Sequence, residues 1–353
     1  MTMGIIPGRF FRDAKLYCIN LLLTYDEGCV GGCAYCGLSR GRETGKPWEE
    51  NSFIRVDWPT IALEEVISRV RSGVCSHVER VCVSMITNGR ARKDLITVVD
   101  RLHKEVNLIS ALITPTIVNK EWLYELKGAG ADMVGIAIDT ATPELFEKLR
   151  GRGVKGPHRW DKYWRTVREA VEVFGKNRVG VHLIVGLGET EEEMVRAIQQ
   201  AHNMGAQTHL FSFFPEEKSP MENQPQPPIG KYRRIQLARY LINHCITSAE
   251  EIEFDKGGRI RNYGIDEGEL NKVIDSGLPF MTSGCPSKTL KNACNRPFAN
   301  CTPYQAYIGE LRNYPFPPNE GDVRTIRKQL YDYSNTSNSP KDMVHLVCEH
   351  VVE

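Results

Sequence analysis

Short runs of apolar residues alternate with amphipathic stretches along most of the chain. The apolar runs are rich in β-branched residues and predict buried strands, whereas the stretches between them repeat apolar residues at helical spacing. Because strand and helix alternate six times or more, the pattern predicts parallel βαβ units. The predicted strands cover residues 17–25, 78–87, 107–116, 132–140, 178–188 and 207–215.

A barrel fits this alternation better than an open dinucleotide-binding sheet, because no G-x-G-x-x-G turn follows the first strand. We therefore predict an α/β fold, a partial or full (β/α) TIM-type barrel, with residues 250–255 as a seventh strand. In such barrels the chemistry lies at the carboxyl ends of the strands. Helices are predicted over residues 58–73, 92–106, 119–130, 159–175, 190–205 and 231–246.

The chain changes character near residue 277, where Pro, Asn and Gly become frequent and periodicity is lost. This composition predicts an ordered lid over the barrel mouth, followed by a helix over 323–335. The expected organisation is an N-terminal extension (1–14), a barrel (15–276) and a cysteine-containing C-terminal cap (277–353).

Composition excludes several classes of function. Lys and Arg number 45 against 44 Asp and Glu, so the net charge of +1 gives no bias toward nucleic acid or an anionic membrane. No signal peptide and no apolar run of about 18 residues is present, so a cytoplasmic protein is expected. In that compartment the 11 cysteines are expected to be reduced thiols and metal ligands rather than disulfides.

Three of these cysteines are concentrated in the loop DEGCVGGCAYCGLSR, directly after the first predicted strand. Cys29, Cys33 and Cys36 have the spacing C-x3-C-x2-C, and two glycines give the backbone freedom to bring three thiolates to one [4Fe-4S] cluster. One iron is then left without a protein ligand. A structural zinc site would need a fourth Cys or His, and no His lies near this loop in the sequence. A zinc knuckle with a remote ligand and a chance arrangement are the alternatives.

The motif C-x3-C-x-aromatic-C, with Tyr35 as the aromatic residue, resembles that of the radical S-adenosylmethionine (SAM) superfamily over residues 15–255. The resemblance implies that the open iron chelates SAM, and that one electron from a donor such as ferredoxin cleaves SAM to a 5′-deoxyadenosyl radical. In SMITNGR, Ser84 and Asn88 are candidates to contact the methionine moiety of SAM. The alternative for both is a solvated loop position.

Two further strand ends resemble the same family. GVHLIVGLGETEEE is similar to its fifth-strand motif, which implies that backbone at Gly186 and Gly188 approaches the adenosyl group and that Glu189 begins the next helix. IAIDTATPELFEKL resembles the fourth-strand segment of biotin and lipoyl synthases, which implies that Asp139 binds the ribose of SAM or lies against the substrate. The alternatives are a glycine-rich turn and a helix cap, for which Thr142 serves equally well.

A second set of cysteines resembles the auxiliary-cluster ligands of sulfur-inserting enzymes. RVCVSM is similar to the second strand of biotin synthase, and strand alternation points Cys82 into the barrel. Together with HLFSFFPEEKSPM, SGCP, CNRPF and RNYPFPP, it resembles a subunit of the archaeal-type two-component lipoyl synthases. This implies an auxiliary [4Fe-4S] cluster held by Cys82, Cys285 and Cys294, with Cys301 in reserve. A zinc site formed by the three tail cysteines is the alternative.

The labile fourth ligand that a sulfur donor needs is not fixed by spacing. Ser283 and Arg296 are the available choices, and both also suit a purely structural role in the loop. On helix GKYRRIQLARY, Arg233 and Arg234 are expected on a solvated face, with contact to an acidic carrier domain as the alternative. Aromatic residues in LFSFFP and NYPFPP are expected either to line an acyl channel or to pack in the core.

The resemblance implies radical insertion of sulfur into an octanoyl chain carried on a lysine of a lipoyl-carrier protein, shared with a second radical SAM subunit. The acceptor carbon, the reductant and the oligomeric state are not specified by the sequence. Alternatives are a biotin synthase-like enzyme, a methylthiotransferase, a metallocofactor maturase, or a non-catalytic iron–sulfur or zinc scaffold.

Overall fold

Six parallel strands form one sheet in the order β1 to β6, curled into a half-barrel, so the predicted partial TIM-type barrel is confirmed. The structure is a computed structural model that describes residues 2–5, 10–40, 59–290, 292–296 and 301–334. The strands are β1 Cys18–Leu22, β2 Arg80–Ser84, β3 Ile109–Ile113, β4 Met133–Asp139, β5 Val179–Val185 and β6 Gln207–Ser212.

Helices connect successive strands, and several begin at a side chain that accepts a backbone N–H. Asn119, Thr142 and Thr190 each cap the helix that follows them in this way, which satisfies amide groups that the first helical turn leaves without partners. The helices are α1 Leu63–Arg71, α2 Ala91–His103, α3 Lys120–Gly128, α4 Pro143–Leu149, α5 Trp160–Phe174, α6 Glu191–Asn203, α7 Ile229–Asn243, α8 Glu267–Asp275, α9 Pro303–Tyr307 and α10 Glu320–Leu330.

Alternation along the strands separates the core from the barrel interior. Val81, Val83 and Ile109 are fully buried and belong to the main apolar core, whereas Cys82 and Ser84 line cavities inside the barrel. The main core extends from Ile19 in β1 to Leu330 in α10, so it includes helices on both sides of residue 277. The boundary between barrel and cap stays a prediction.

The predicted seventh barrel strand is wrong. Within residues 250–255, only Glu253–Phe254 is extended (β7), and it pairs antiparallel with β8 (Ile260–Asn262) in a separate two-stranded sheet. The cause is local, because the Asp255 carboxylate accepts the backbone N–H groups of Gly257 and Arg259 and stabilises a tight turn. The segment therefore pairs with its neighbour in sequence rather than with the barrel.

Helix α7 is buried, which contradicts both expectations for Arg233 and Arg234. Arg233 donates to the backbone carbonyls of Leu311 and Arg312, and Arg234 forms an ion pair of 2.6 Å with Glu191. These contacts come from the C-terminal segment and from α6, which pack against α7. A helix enclosed in this way has no solvated face on which these two arginines could meet a carrier domain.

The described tail residues 282–290 and 292–296 do not cover the carboxyl ends of the strands, as the predicted lid would. Asn295 bonds the backbone of Lys15 and Tyr17 before β1, and Arg80 at the start of β2 donates to the carbonyl of Pro286. These described residues therefore lie across the amino ends of the strands, opposite the loop with the first three cysteines. Side-chain bonds between residues far apart in sequence determine this placement.

Replacement of Arg234 by methionine is expected to lower the free energy of unfolding by about 3–5 kcal/mol, because Glu191 would stay buried without its ionic partner. Urea denaturation of the full chain measures the change. Arg69→Met is the control, since Arg69 pairs with Glu65 on the surface of α1 and should cost about 0–1 kcal/mol. Equal losses in the two variants would contradict the assignment of Arg234 as a buried structural ion pair.

Candidate active site

The loop after β1 brings Cys29, Cys33 and Cys36 to the wall of a cavity of about 310 Å³ at the carboxyl ends of the strands. Backbone hydrogen bonds hold this loop to two neighbouring segments. The N–H of Val30 donates to the carbonyl of Thr87 at 2.8 Å, and the N–H of Ala34 donates to Leu149 at 2.8 Å. The loop geometry is therefore set by tertiary contacts as well as by its own glycines.

Gly31 and Gly32, between the first two cysteines of the loop, allow neighbouring groups to approach closely. A Cβ on Gly32 would lie 2.8 Å from the carbonyl oxygen of Val154, and one on Gly31 would lie 3.1 Å from both the Cys29 sulfur and Nε2 of His158. The space beside the thiols is thus already filled by backbone and by an imidazole. No His lies near the loop in the sequence, as expected, but the fold brings the distant residue His158 next to it.

Burial favours the protonated form of two of the loop thiols. It raises the pKa of Cys33 to about 11, and it also raises the pKa of Cys36 well above its usual value, with the neighbouring Cys33 contributing. Iron must therefore displace protons to bind here. Leu187, Phe213 and Met221 pack in an apolar cluster against the loop, so three thiols and a dry wall fit an oxygen-sensitive iron–sulfur cluster.

Asp139 lies at the end of β4, inside the same cavity. Its backbone has a φ of 67°, a left-handed conformation that Asp tolerates better than most residues. Its Oδ2 accepts from the Tyr35 hydroxyl at 2.6 Å and from Nη1 of Arg150 at 2.7 Å. Thr142, not Asp139, caps α4, which removes the helix-cap alternative for Asp139.

Arg150 and His158 also line the cavity, although no motif in the sequence predicts that they belong to the site. The Arg150 guanidinium packs against the adjoining rings of Phe146 and Tyr163, at 5.0 and 4.8 Å from their centroids. Nδ1 of His158 bonds Thr116 and Tyr163, and burial together with Arg150 lowers its pKa to about 3, so its ring is neutral. Only the folded chain brings these residues to the cysteine loop.

The other predicted SAM contacts divide into two groups. Ser84 lines the cavity, whereas Asn88 bonds the carbonyl of Gly28 and the N–H of Arg90 and so ties β2 to the cysteine loop. Gly186 and Gly188 have φ values of 107° and 119°, which favour glycine, but neither lines this cavity as described. Their contacts with SAM stay predictions.

Glu189 does not begin α6, as the family resemblance implied. Helix α6 begins at Glu191 with Thr190 as its N-cap, and the Glu189 carboxylate turns back to accept the backbone N–H groups of Gly186 and Leu187. Lys231 forms an ion pair of 2.8 Å with the same carboxylate. Glu189 thus stabilises the turn after β5.

A second, smaller cavity of about 30 Å³ lies deeper in the barrel, near the tail segment, and is lined by Cys82, Cys285 and Cys294. The N–H groups of Ala293 and Cys294 both donate to the carbonyl of Cys285, at 3.0 and 3.1 Å, which holds the two tail cysteines side by side. Ser283 and Arg296 line the cavity too. Of these, Arg296 bonds Asn20 in β1 at 2.9 Å.

A fourth cysteine, Cys18 in β1, lies beside Cys294. Interaction with the neighbouring Cys18 thiol lowers the pKa of Cys294, and nearby Arg296 adds to that effect. Burial raises the pKa of Cys82 to about 12 and that of Cys285 to about 11. The alternation of side chains along β1 could have indicated this position, because Cys18 lies on the same face of the strand as Asn20, which lines the larger cavity.

Cys301 lies apart from the other tail cysteines. It is buried beside Arg312 and Arg233, and burial raises its pKa to about 11. This position separates it from Cys285 and Cys294, which disfavours the zinc site formed by the three tail cysteines. Among the described residues, no three His, Cys, Asp or Glu side chains are close enough to share one metal ion. The ten described cysteines are all free thiols.

The two cavities share a wall made of Leu112, His182, Phe211 and Arg296. Cys82 faces the deeper cavity and Ser84, two residues along the same strand, faces the larger one. That separation is about 7 Å at the usual rise of a strand. The two sets of thiols therefore lie on either side of a single layer of inward-facing side chains.

The chain is similar in sequence to parts of known proteins. The chain is 25% identical over 194 residues to a GTP 3',8-cyclase of Nautilia profundicola, and 26% identical over 199 residues to a biotin synthase of Paramagnetospirillum magneticum. Each match covers 54% of this chain and little more than half of the relative, 55% and 54% respectively.

The fold is also found in a solved structure. The FeFe-hydrogenase maturase HydG from Carboxydothermus hydrogenoformans superposes with a TM-score of 0.52 and 16% identity, covering 89% of this chain and 81% of that one. Across the described residues, no helix is both long and apolar enough to cross a membrane.

A sequence profile of the Radical SAM superfamily matches residues 25–201, a segment that begins just before the three-cysteine loop and ends in α6. This family implies a [4Fe-4S] cluster, SAM as a substrate and an electron donor. With the half-barrel, the cysteine loop and the profile in agreement, the chain belongs to the radical SAM superfamily.

Proposed function

We propose that this radical SAM enzyme inserts sulfur into an octanoyl chain attached to a lysine of a lipoyl-carrier protein, as one subunit of a two-component lipoyl synthase. The finer part of this proposal goes beyond the superfamily. It rests on the second set of buried thiols, because a radical SAM enzyme without a second cluster needs no such set.

The observation that carries the proposal is the position of Cys82, Cys285 and Cys294 beside the cavity of the first three cysteines. Three thiols in one small buried space, with the cationic side chains of Arg80 and Arg296 next to them, suit an anionic iron–sulfur cluster. Coulombic attraction to these two cations favours the thiolate forms that iron binds.

When bound, a first [4Fe-4S] cluster with SAM supplies a 5′-deoxyadenosyl radical, and a second cluster supplies sulfur. The chain itself contributes binding, orientation and exclusion of water. Cys29, Cys33 and Cys36 hold the first cluster, and Tyr35 with Arg150 fixes the Asp139 carboxylate inside the cavity where SAM would bind.

The larger cavity suits an acyl chain. Apolar side chains form much of its wall, and they extend to the layer that separates it from the second set of thiols. The aromatics of LFSFFP line this cavity, whereas Tyr314 of NYPFPP is buried in the main core. The apolar side chains in this wall include Leu22, Leu112, Ile113, Phe211, Phe213 and Phe214.

The test is incubation of the reduced, reconstituted protein with SAM and an octanoyl-lysyl peptide, with and without a second radical SAM subunit. We expect a peptide mass increase that corresponds to added sulfur. The same peptide without its octanoyl group is the control and should gain no mass. Formation of 5′-deoxyadenosine without any mass gain under either condition would contradict the lipoyl synthase proposal.

A different radical SAM reaction is the second candidate, and the relatives favour it. One matched relative is named biotin synthase and another GTP 3',8-cyclase. Insertion of sulfur into an acceptor other than the octanoyl chain would support a biotin synthase-like enzyme. A requirement for only one cluster would support the other radical SAM classes.

A further inference from the structure

His209 in β6 is a buried imidazole with no hydrogen-bond partner. Among the residues that the structure describes, neither Nδ1 nor Nε2 of this ring has an acceptor or a donor within reach. Buried polar side chains in folded proteins are nearly always satisfied, so each exception needs an explanation. A ligand that the protein binds is one such explanation.

The fold makes room for this ring. A Cβ on Gly180, in the neighbouring strand β5, would lie 2.7 and 2.8 Å from Cδ2 and Nε2 of His209. In the same way, a Cβ on Gly135 in β4 would lie 3.2 Å from Nε2 of His182. Glycine in the middle of a strand weakens it, and a close approach by another group is a common reason for its presence.

The position of His209 connects it to the second set of cysteines. Its ring lines the small cavity together with Cys82, Cys285 and Cys294. His182, its register partner in β5, lies edge-on at 5.6 Å between ring centroids and fixes its orientation. An orphaned nitrogen donor and three thiols thus border one enclosed space.

We propose that His209 is a ligand of the auxiliary iron–sulfur cluster and occupies the coordination position that Cys82, Cys285 and Cys294 leave open. The inference rests on the proposed function, because it requires that these three cysteines bind a cluster. It replaces the two candidates from the sequence, Ser283 and Arg296, at that position.

The chemistry of the three side chains favours His209. A neutral imidazole offers a nitrogen lone pair without losing a proton, and His replaces Cys on one iron in some iron–sulfur proteins. A guanidinium has no such lone pair, and Nε of Arg296 already donates to Asn20. The Ser283 hydroxyl accepts the backbone N–H of Leu210 at 3.2 Å and would have to lose its proton to become a strong ligand.

The test isolates the second cluster in the full-length chain. Cys29, Cys33 and Cys36 are replaced by alanine, the protein is reconstituted with iron and sulfide, and the cluster is reduced with dithionite to its paramagnetic state. Pulsed EPR then measures nitrogen couplings in protein grown with unlabelled histidine or with histidine carrying ¹⁵N in the ring. We expect a strong ¹⁴N coupling in the first sample and its replacement by a ¹⁵N coupling in the second.

The labelled ring identifies histidine, and substitutions identify the residue. His209→Gln should remove the coupling, whereas His182→Gln and the exposed His103→Gln should keep it. The labelling experiment replaces no histidine and compares two samples of the same triple-alanine protein, so a histidine variant that fails to fold does not decide the outcome. Restricting the label to histidine excludes couplings from arginine and from backbone amides.

Four results would overturn the inference. A coupling that the histidine label leaves unchanged would indicate Arg296 or the backbone, and a coupling lost only in His182→Gln would indicate the neighbouring ring. A cluster of about four irons without any strong nitrogen coupling would reject His209 but leave the proposed function intact. Absence of iron from the triple-alanine protein would reject both.

Discussion

Replacement of Cys33 by alanine is expected to abolish the production of 5′-deoxyadenosine from SAM and to remove about four irons per chain. Cys33 lies between the other two cysteines of the loop, and its thiol lines the cavity where the first cluster would bind. Two thiolates leave two irons without protein ligands, so the cluster loses its anchorage as well as its single open site. Chromatography of the reaction products and an iron assay measure the two effects.

Cys75→Ala is the matched control for this variant. Cys75 is also a buried cysteine, but it lines neither cavity. We expect Cys75→Ala to keep both the iron content and the formation of 5′-deoxyadenosine. If Cys33→Ala produced 5′-deoxyadenosine at the same rate as this control, the loop would not be the site of SAM cleavage.

Simultaneous replacement of Cys285 and Cys294 by alanine is expected to separate the two activities. The variant should lose about four irons per chain and all insertion of sulfur, while SAM cleavage continues at the first cluster. The reason is spatial, since both thiols line the small cavity and neither lines the larger one. Iron and sulfide analysis and the peptide mass assay, run on the same preparation, measure the outcome.

Cys301→Ala provides the control in the same tail segment. Cys301 lies beside Arg312 and Arg233 in the core, so its replacement should leave the iron content unchanged. Loss of iron from Cys301→Ala, or retention of all iron by the double variant, would show that the auxiliary ligands are assigned wrongly.

The predicted strands and helices of the barrel agree with the structure because their signals are local. Each strand is a run of apolar residues flanked by turn residues, and each helix repeats its apolar positions at helical spacing. The prediction of a seventh barrel strand failed at residues 250–255, because the apolar pattern there does not show to which sheet the strand belongs. A tight turn stabilised by Asp255 pairs this segment with its neighbour, and periodicity contains no information about the partner of a strand.

Charged residues show the same limitation. Arg233 and Arg234 belong to a helix whose composition is typical of a solvent-exposed element, yet the C-terminal segment and α6 cover them. Their burial depends on carbonyl groups and on a carboxylate that are distant in the sequence. A buried arginine is stable only when such partners are present, and the sequence of the helix does not show whether they are.

By itself, the sequence determined the superfamily, a parallel (β/α) barrel that could be partial or full, and the three cysteines of the first loop, because all three depend on patterns within short segments. Only the tertiary structure decided which distant residues meet. Among the residues that it describes, it placed 282–290 and 292–296 across the amino ends of the strands, brought Cys18 close to Cys294, and left His209 without a hydrogen-bond partner beside the second set of thiols. The physical reason is that burial and long-range hydrogen bonds depend on the relative positions of the folded elements, which no local pattern specifies.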